Sequence, residues 1–158
     1  DIAEAVGMST GLMFHYFESK EALYEELIGL GVGGPMAMMD GGAGGDAIAF
    51  FEGAAASILG FLREEPFMAD MFVLMGNALM DDAIPPRAKE LLAGFDVNAP
   101  TAEMVRRGQR EGTVRDGDPV ALSIAFWAAI QGIAEELAVY PDMPCPEPEW
   151  IVDIVRKR

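Results

Sequence analysis

Ser9 and His15 are the first residues whose types could do chemistry together. Gly7-Met8-Ser9-Thr10-Gly11 fits G-x-S-x-G, the pattern that presents a serine nucleophile at a sharp strand-to-helix turn. His15, six residues on, is the only histidine among 158 residues. The chemistry would be acyl transfer with an imidazole base. Two requirements fail. The turn needs a buried strand ahead of the serine, whereas "DIAEAV" carries Glu4 and sets Ile2, Ala5 and Val6 at helical spacing. Six residues on a 3.6-residue helix also send the two side chains to different sides. No catalytic residue is assigned, and the chain is not read as an enzyme. Ser9 reads instead as the cap of a short helix from 10 to about 16. Ser19 caps the next helix, with Glu21 near its positive end.

Other chemistry is thinly supplied. Gly29, Gly31 and Gly34 match G-x-G-x-x-G, but a dinucleotide fingerprint needs a strand before it and a helix after it; here a helix precedes and Pro35 follows. One cysteine, Cys145, forbids an intrachain disulfide and fits a reducing, cytoplasmic setting. One Cys and one His make a poor transition-metal site, and no acidic loop has regular ligand spacing, so neither metal nor cofactor is expected. The formal net charge of −15 argues against binding nucleic acid or an anionic membrane over the whole surface, while leaving room for one local DNA-binding face. The apolar run from 120 to 134 falls short of the ~20 residues that span a bilayer, so no membrane partner is expected. Asp1 and Glu4 stand where a signal peptide would be positive. The chain opens in mid-pattern, with no Met and no cap before "DIAEAVG", which predicts further residues upstream.

The elements that would position these residues are helices. Apolar residues recur at three and four, and alternating Val/Ile/Thr segments are absent. After the helix striped by Leu23, Leu27 and Leu30, the Gly-rich stretch 31–46 reads as a linker or a frayed helix end. Helices are then expected over 46–65, ended by Pro66, and over 67–80, rich in Met and Phe. Another opens at Pro85-Pro86, is kinked or split by Pro100, and ends at Gly112. A long helix runs from Asp118-Pro119 to about Tyr140. After the Pro-rich "PDMPCPEPE", Trp150, Ile151, Ile154 and Val155 stripe a last helix ending in the basic "RKR". The fold class is all-α, of about eight or nine helices, divided into a head at 1–30 and a larger helical domain at 31–158.

The opening segment makes better sense as a DNA-reading helix pair. Ala3 lets two helices approach, Gly7 permits the sharp turn, Met8 fills the space between them, and the helix after Ser9 exposes its N-terminal residues. "DIAEAVGMSTGLMFHYFESKEALYEELI" resembles the helix-turn-helix of the TetR family of bacterial transcriptional regulators. Ile2, Ala3, Gly7, Ser9, Gly11, Met13, Phe14, Tyr16, Phe17, Ser19, Lys20, Glu21 and Leu23 fall on the family pattern, identically or by close substitution. "EGTVRDGDP" and "FWAAIQGIA" are more weakly similar to its penultimate turn and eighth helix. The resemblance implies a ligand-responsive homodimeric regulator, a repressor released from a double-stranded DNA operator by a small molecule. It places Ser9, Thr10, Gly11, Leu12, His15, Tyr16 and Lys20 at the DNA. Of these, Thr10, Gly11 and Leu12 approach base edges, His15 reaches a base or phosphate, and Tyr16 and Lys20 contact phosphates. Phe14 stands where the family has Tyr and offers no phosphate-binding hydroxyl. The resemblance also implies a first helix ahead of the motif, often with a basic arm, which this sequence does not contain. Residues 1–30 hold six acids against Lys20. That acidity favours the alternative, a helical ligand-binding or adaptor protein whose head no longer binds DNA.

The larger domain would sense and dimerise. Phe51, Met71, Phe72, Met75, Asn77 and Met80 lie in two helices that line the family's cavity. Met is adaptable and polarisable, so the group suits a small apolar ligand, although any one of these residues reads equally as core. Helix 119–140 is apolar almost all round and must be covered on both sides. Its Ile124, Trp127 and Gln131, with Trp150, Ile151 and Ile154 of the last helix, are the expected two-fold interface. The alternative is a central helix in a monomeric bundle.

Overall fold

The computed structural model describes residues 9–42 and 45–158. The short apolar face of Ile2, Ala5 and Val6, and the turn at Gly7, lie outside the described residues, as do the side chains of Thr10, Met13 and Phe14. The described residues form eight helices: α1 Thr10–Tyr16, α2 Lys20–Gly42, α3 Ala47–Glu64, α4 Pro66–Met80, α5 Pro86–Leu92, α6 Asn98–Glu111, α7 Pro119–Val139 and α8 Pro148–Val152. The all-α class expected from periodicity is what forms. The one β-type pairing among the described residues is an isolated antiparallel bridge between Val114 and Arg156.

Caps account for most boundaries. The Asp46 side chain accepts from the Ile48 amide, and Asp118 accepts from those of Val120 and Ala121, so α3 and α7 begin where their acids sit. Gly112, at φ 78, closes α6. The split between α5 and α6 comes earlier than the sequence reading put it. The chain leaves the helix after Leu92, and Asp96 accepts from the amides of Asn98 and Ala99 to start α6 afresh. Pro100 then lies in the first turn, where its missing N–H leaves no bond unmade.

The Gly-rich linker is a second correction. α2, 23 residues long, continues through it as far as Gly42, with Pro35 inside. Pro35 donates nothing to the Gly31 carbonyl, so one rung is lost, but packing on both sides of the gap holds the rod. Gly31 lies against Met75 so closely that a Cβ there would come within 2.4 Å of the Met75 sulfur. Met39, one turn beyond Pro35, is buried in the core. Tertiary contact overrides the low local propensity. The proposed boundary at residue 30 thus falls within α2. The last helix is shorter than its stripe suggested: α8 ends at Val152, and turns carry Val155 back to pair with the 113–115 segment.

Two apolar clusters organise the helices. The larger collects Phe51, Leu59, Val105, Phe126, Ile130, Ala134 and Val152 from α3, α6, α7 and α8, with Met39 from α2. At its centre Phe51 meets Phe126 edge-on, ring centroids 4.9 Å apart. The smaller joins Ile28 of α2, Met75 and Ala78 of α4, Ile84 of the turn that follows α4, and Ala88 of α5, with Tyr24 against it. Two polar residues buried in the larger core are satisfied. The Thr101 hydroxyl donates to the Val97 carbonyl and accepts from the Trp127 indole at 3.0 Å, and Ser123 donates to Asn98 Oδ1. α7, at 21 residues, is longer than its apolar run and is by length and composition able to cross a membrane. Ser123, Phe126, Ile130, Ala134 and Leu137 pack that helix into the protein core instead.

Two expectations follow from this packing. A Cβ on Gly108 would lie 2.3 Å from Val114 Cγ2 and 2.9 Å from the Ala47 methyl. Gly108→Ala, which in an open helix would stabilise by ~1 kcal/mol, is expected to destabilise by about 1–3 kcal/mol in urea unfolding; a gain in stability would contradict the close approach of α6 to α3. Burial, and then the charge of Asp81, raise the Tyr24 phenol above the ordinary tyrosine range. A group that holds its proton more tightly when folded contributes stability at and below the ordinary value, and that contribution is lost as pH rises through the shifted one. The unfolding midpoint of the wild type is therefore expected to fall more steeply above pH ~10 than that of Tyr24→Phe.

Candidate functional site

The head is built on two caps. The Ser9 hydroxyl accepts from the Leu12 amide at 3.2 Å, and the Ser19 hydroxyl accepts from the Ala22 amide at 3.0 Å. Each satisfies an N–H that the first turn of its helix leaves open. Ser9 is thus engaged at the start of α1 by a backbone amide. The three-residue gap between Tyr16 and Lys20 turns the chain into α2.

α1 presents a continuous outward stripe. Gly11, Leu12, His15 and Tyr16 are all exposed, and the spacings of three and four put them on neighbouring turns of one face. Leu12 is 46% and Tyr16 69% exposed, a large apolar and aromatic area on a seven-residue helix. The His15 and Tyr16 rings meet edge-on with centroids 5.4 Å apart, so the two are displayed as a unit. Gly11 has open space where a Cβ would be, so the backbone there is approachable. Lys20, at the first turn of α2, is exposed, as is Ser9. The chemistry available is apolar contact from Leu12, hydrogen bonding from His15 and Tyr16, and one charge-assisted contact from Lys20. The backbone of Thr10 opens α1; its side chain lies outside the described residues.

The six residues expected to line a ligand cavity are not brought to one wall. Phe51 is fully buried in the larger core, and Phe72 packs against it, half-buried. Met75 belongs to the smaller cluster, and Met71 is buried on the same side of α4. Asn77 and Met80 turn outward, Met80 being 82% exposed. The reason is the helical period: Met71, Met75 and Ala78 share the buried face of α4, and residues two and five beyond Met75 rotate away from it.

The residues expected at a two-fold interface also divide. Ile124 and Trp150 are exposed, at 51% and 67%. Ile154 is half-buried against the core, and Ile151 is buried in it. Trp127 is tied inward to Thr101. Gln131 donates to the Phe72 carbonyl at 3.0 Å and to Glu135 at 2.8 Å, so it fastens α7 to α4 within the chain. Val120, Val139 and Tyr140 extend the exposed apolar surface of α7, which the sequence reading did not single out. Missed as well was a hollow walled by Arg115, Asp116, Arg156, Lys157 and Arg158. Its signal in the sequence was the basic tail, which only the Val114–Arg156 bridge brings beside Arg115.

Comparison with known proteins bears on the head and on the fold separately. Residues 1–27 match the model of the family described as bacterial regulatory proteins, tetR family. No curated protein matches the sequence. Among solved structures, a protein of unknown function from Rhodococcus sp. RHA1 is similar with a TM-score of 0.61 and 21% identity, over 96% of this chain and 76% of that one. A second Rhodococcus sp. RHA1 protein, described as "a putative transcriptional regulator", is similar with a TM-score of 0.54 and 21% identity, over 97% of this chain and 78% of that one. At that identity the likeness is one of fold, all-α throughout. The likeness to the tetR family of bacterial regulatory proteins is thus carried by the segment that holds α1 and the start of α2.

Proposed function

We propose that this protein is a ligand-responsive DNA-binding transcriptional regulator that acts as a homodimeric repressor. The observation that carries the reading is the Ser9-capped helix α1, whose exposed Gly11, Leu12, His15 and Tyr16 lie within the family-matched segment, as does Lys20, exposed at the start of α2. In this reading α1 enters the major groove. Gly11 and Leu12 approach base edges, with Leu12 suited to a thymine methyl, and Tyr16 and Lys20 hold phosphates. A two-fold pair of such heads reads half-sites about one turn apart, ~34 Å. The dimer surface proposed is the outer face of α7 at Ile124 with Trp150 of α8, whose exposure supports it.

The effector proposed is a small apolar molecule held near Met71, Phe72 and Met75 of α4. The flexible thioether of Met75, packed against Gly31 of α2, couples the body to the rod that carries the head. A ligand taken up between α4 and α2 shifts the head spacing only by its differential affinity for the two arrangements.

The first test is selection of duplexes from a random pool by the full-length protein, followed by titration at several salt concentrations. A selected duplex is expected to bind with strong salt dependence, and Lys20→Gln to weaken binding several-fold and reduce the salt slope by ~1. Failure to enrich any sequence would favour the alternative of a helical ligand-binding protein with a silent head, to which the six acids of residues 1–30 point. For the interface, Ile124→Glu is expected to raise the dimer dissociation constant at least about tenfold, equivalent to ~1.4 kcal/mol, seen as a monomeric mass by light scattering. An unchanged mass would remove α7 from the interface.

A further inference from the structure

Four of the bases of this acidic chain are gathered at one place outside the head. The sequence has 11 Lys and Arg against 26 Asp and Glu, yet Arg115, Arg156, Lys157 and Arg158 surround a single hollow of about 450 Å³ with one acid, Asp116, on its wall. The hollow has a fixed frame. The Arg115 amide donates to the Val155 carbonyl at 2.8 Å, and the Lys157 amide to the Thr113 carbonyl at 3.0 Å. Gln109 Nε2 donates to the carbonyls of Arg115 and Gly117, which pins the turn from the other side. Val114 and Val155 are fully buried within this frame. Arg156 is held by Glu52 at 3.0 Å and by Asp153 at 3.3 Å. Among the described residues no carboxylate lies within ion-pair distance of Arg115, Lys157 or Arg158.

We propose that this hollow binds a compact polyphosphate group, the di- or triphosphate end of a small molecule. Three cationic side chains stand around one concavity without internal partners, and Arg forks match phosphate oxygens in pairs. The volume is that of a small-ligand site. An extended polyanion such as duplex DNA carries a charge every ~1.7 Å and would run onto the surrounding acidic surface, which repels it. A short polyphosphate meets four bases and one acid and ends there. The site is separate from α1 and does not depend on the head binding DNA.

Inorganic tripolyphosphate is the probe, titrated calorimetrically into the full-length protein at low salt, with orthophosphate at matched ionic strength beside it. Saturable binding of one tripolyphosphate per chain, tighter than orthophosphate, is expected. Arg115→Gln with Lys157→Gln should weaken it at least tenfold, because the bridge uses only their backbones and survives the change; a circular-dichroism melt checks this. Arg158→Gln is a second variant should the double variant unfold, and should weaken binding several-fold. Lys89→Gln, on α5 outside the hollow, should leave affinity unchanged. Absence of saturable binding, an equal loss from Lys89→Gln, or tighter competition at the same residues by a short duplex would each overturn the proposal.

Discussion

The structure depends on burying α7. That helix is apolar nearly all round, and such a helix is stable only when its neighbours exclude water from it. Phe126, Ile130 and Ala134 are completely buried, and the edge-on contact of Phe126 with Phe51 joins α7 to α3 at the centre of the larger cluster. α6 lies along one flank through Thr101 and Trp127, and α4 along another through Gln131. The short α8 and the Val114–Arg156 bridge close the end. What remains uncovered is the outer strip from Val120 and Ile124 toward Val139, and that is the surface a second chain would need to shield.

The head is attached to this body by a helix rather than by a flexible tether. α2 starts at Lys20, after a three-residue gap from the end of α1, and runs beyond Met39, which is buried with the α7 core. Between these points Ile28 packs with Met75 and Ala88, and Gly31 rests on Met75. A displacement of α4 must therefore move α2 or open a gap in the smaller cluster, because packed interiors do not deform continuously. This gives the proposed effector a physical route to α1: Met75, on the buried face of α4 that Met71 shares, is the residue that meets α2.

Much of the fold was legible because its boundaries are local. Asp46, Asp118, Ser9, Ser19 and Gly112 each act within a few residues of themselves, and each marks an end where the sequence said it would. What could not be read was set by distant partners. Residues 31–42 have the composition of a linker and become a helix because Met75 and the α7 core hold them. Asn77 and Met80 share a helix with Met75 but not its buried face, which depends on the rotation at which α4 docks. The hollow of Arg115 and Lys157 joins segments some forty residues apart through a two-residue bridge with no sequence signature. The exposed stripe of α1, by contrast, was legible because Ser9 starts the helix locally and residues 11, 12, 15 and 16 then share a face by the helical period.

The central claim is that α1 meets DNA. His15 tests it directly, since it is the only histidine and gives one set of imidazole resonances in the whole protein. With a duplex enriched by selection, the account predicts that the His15 ring signals shift on titration and return toward their free positions as salt is added. A duplex that binds while the His15 signals stay unmoved would place the contact elsewhere on the protein and contradict it.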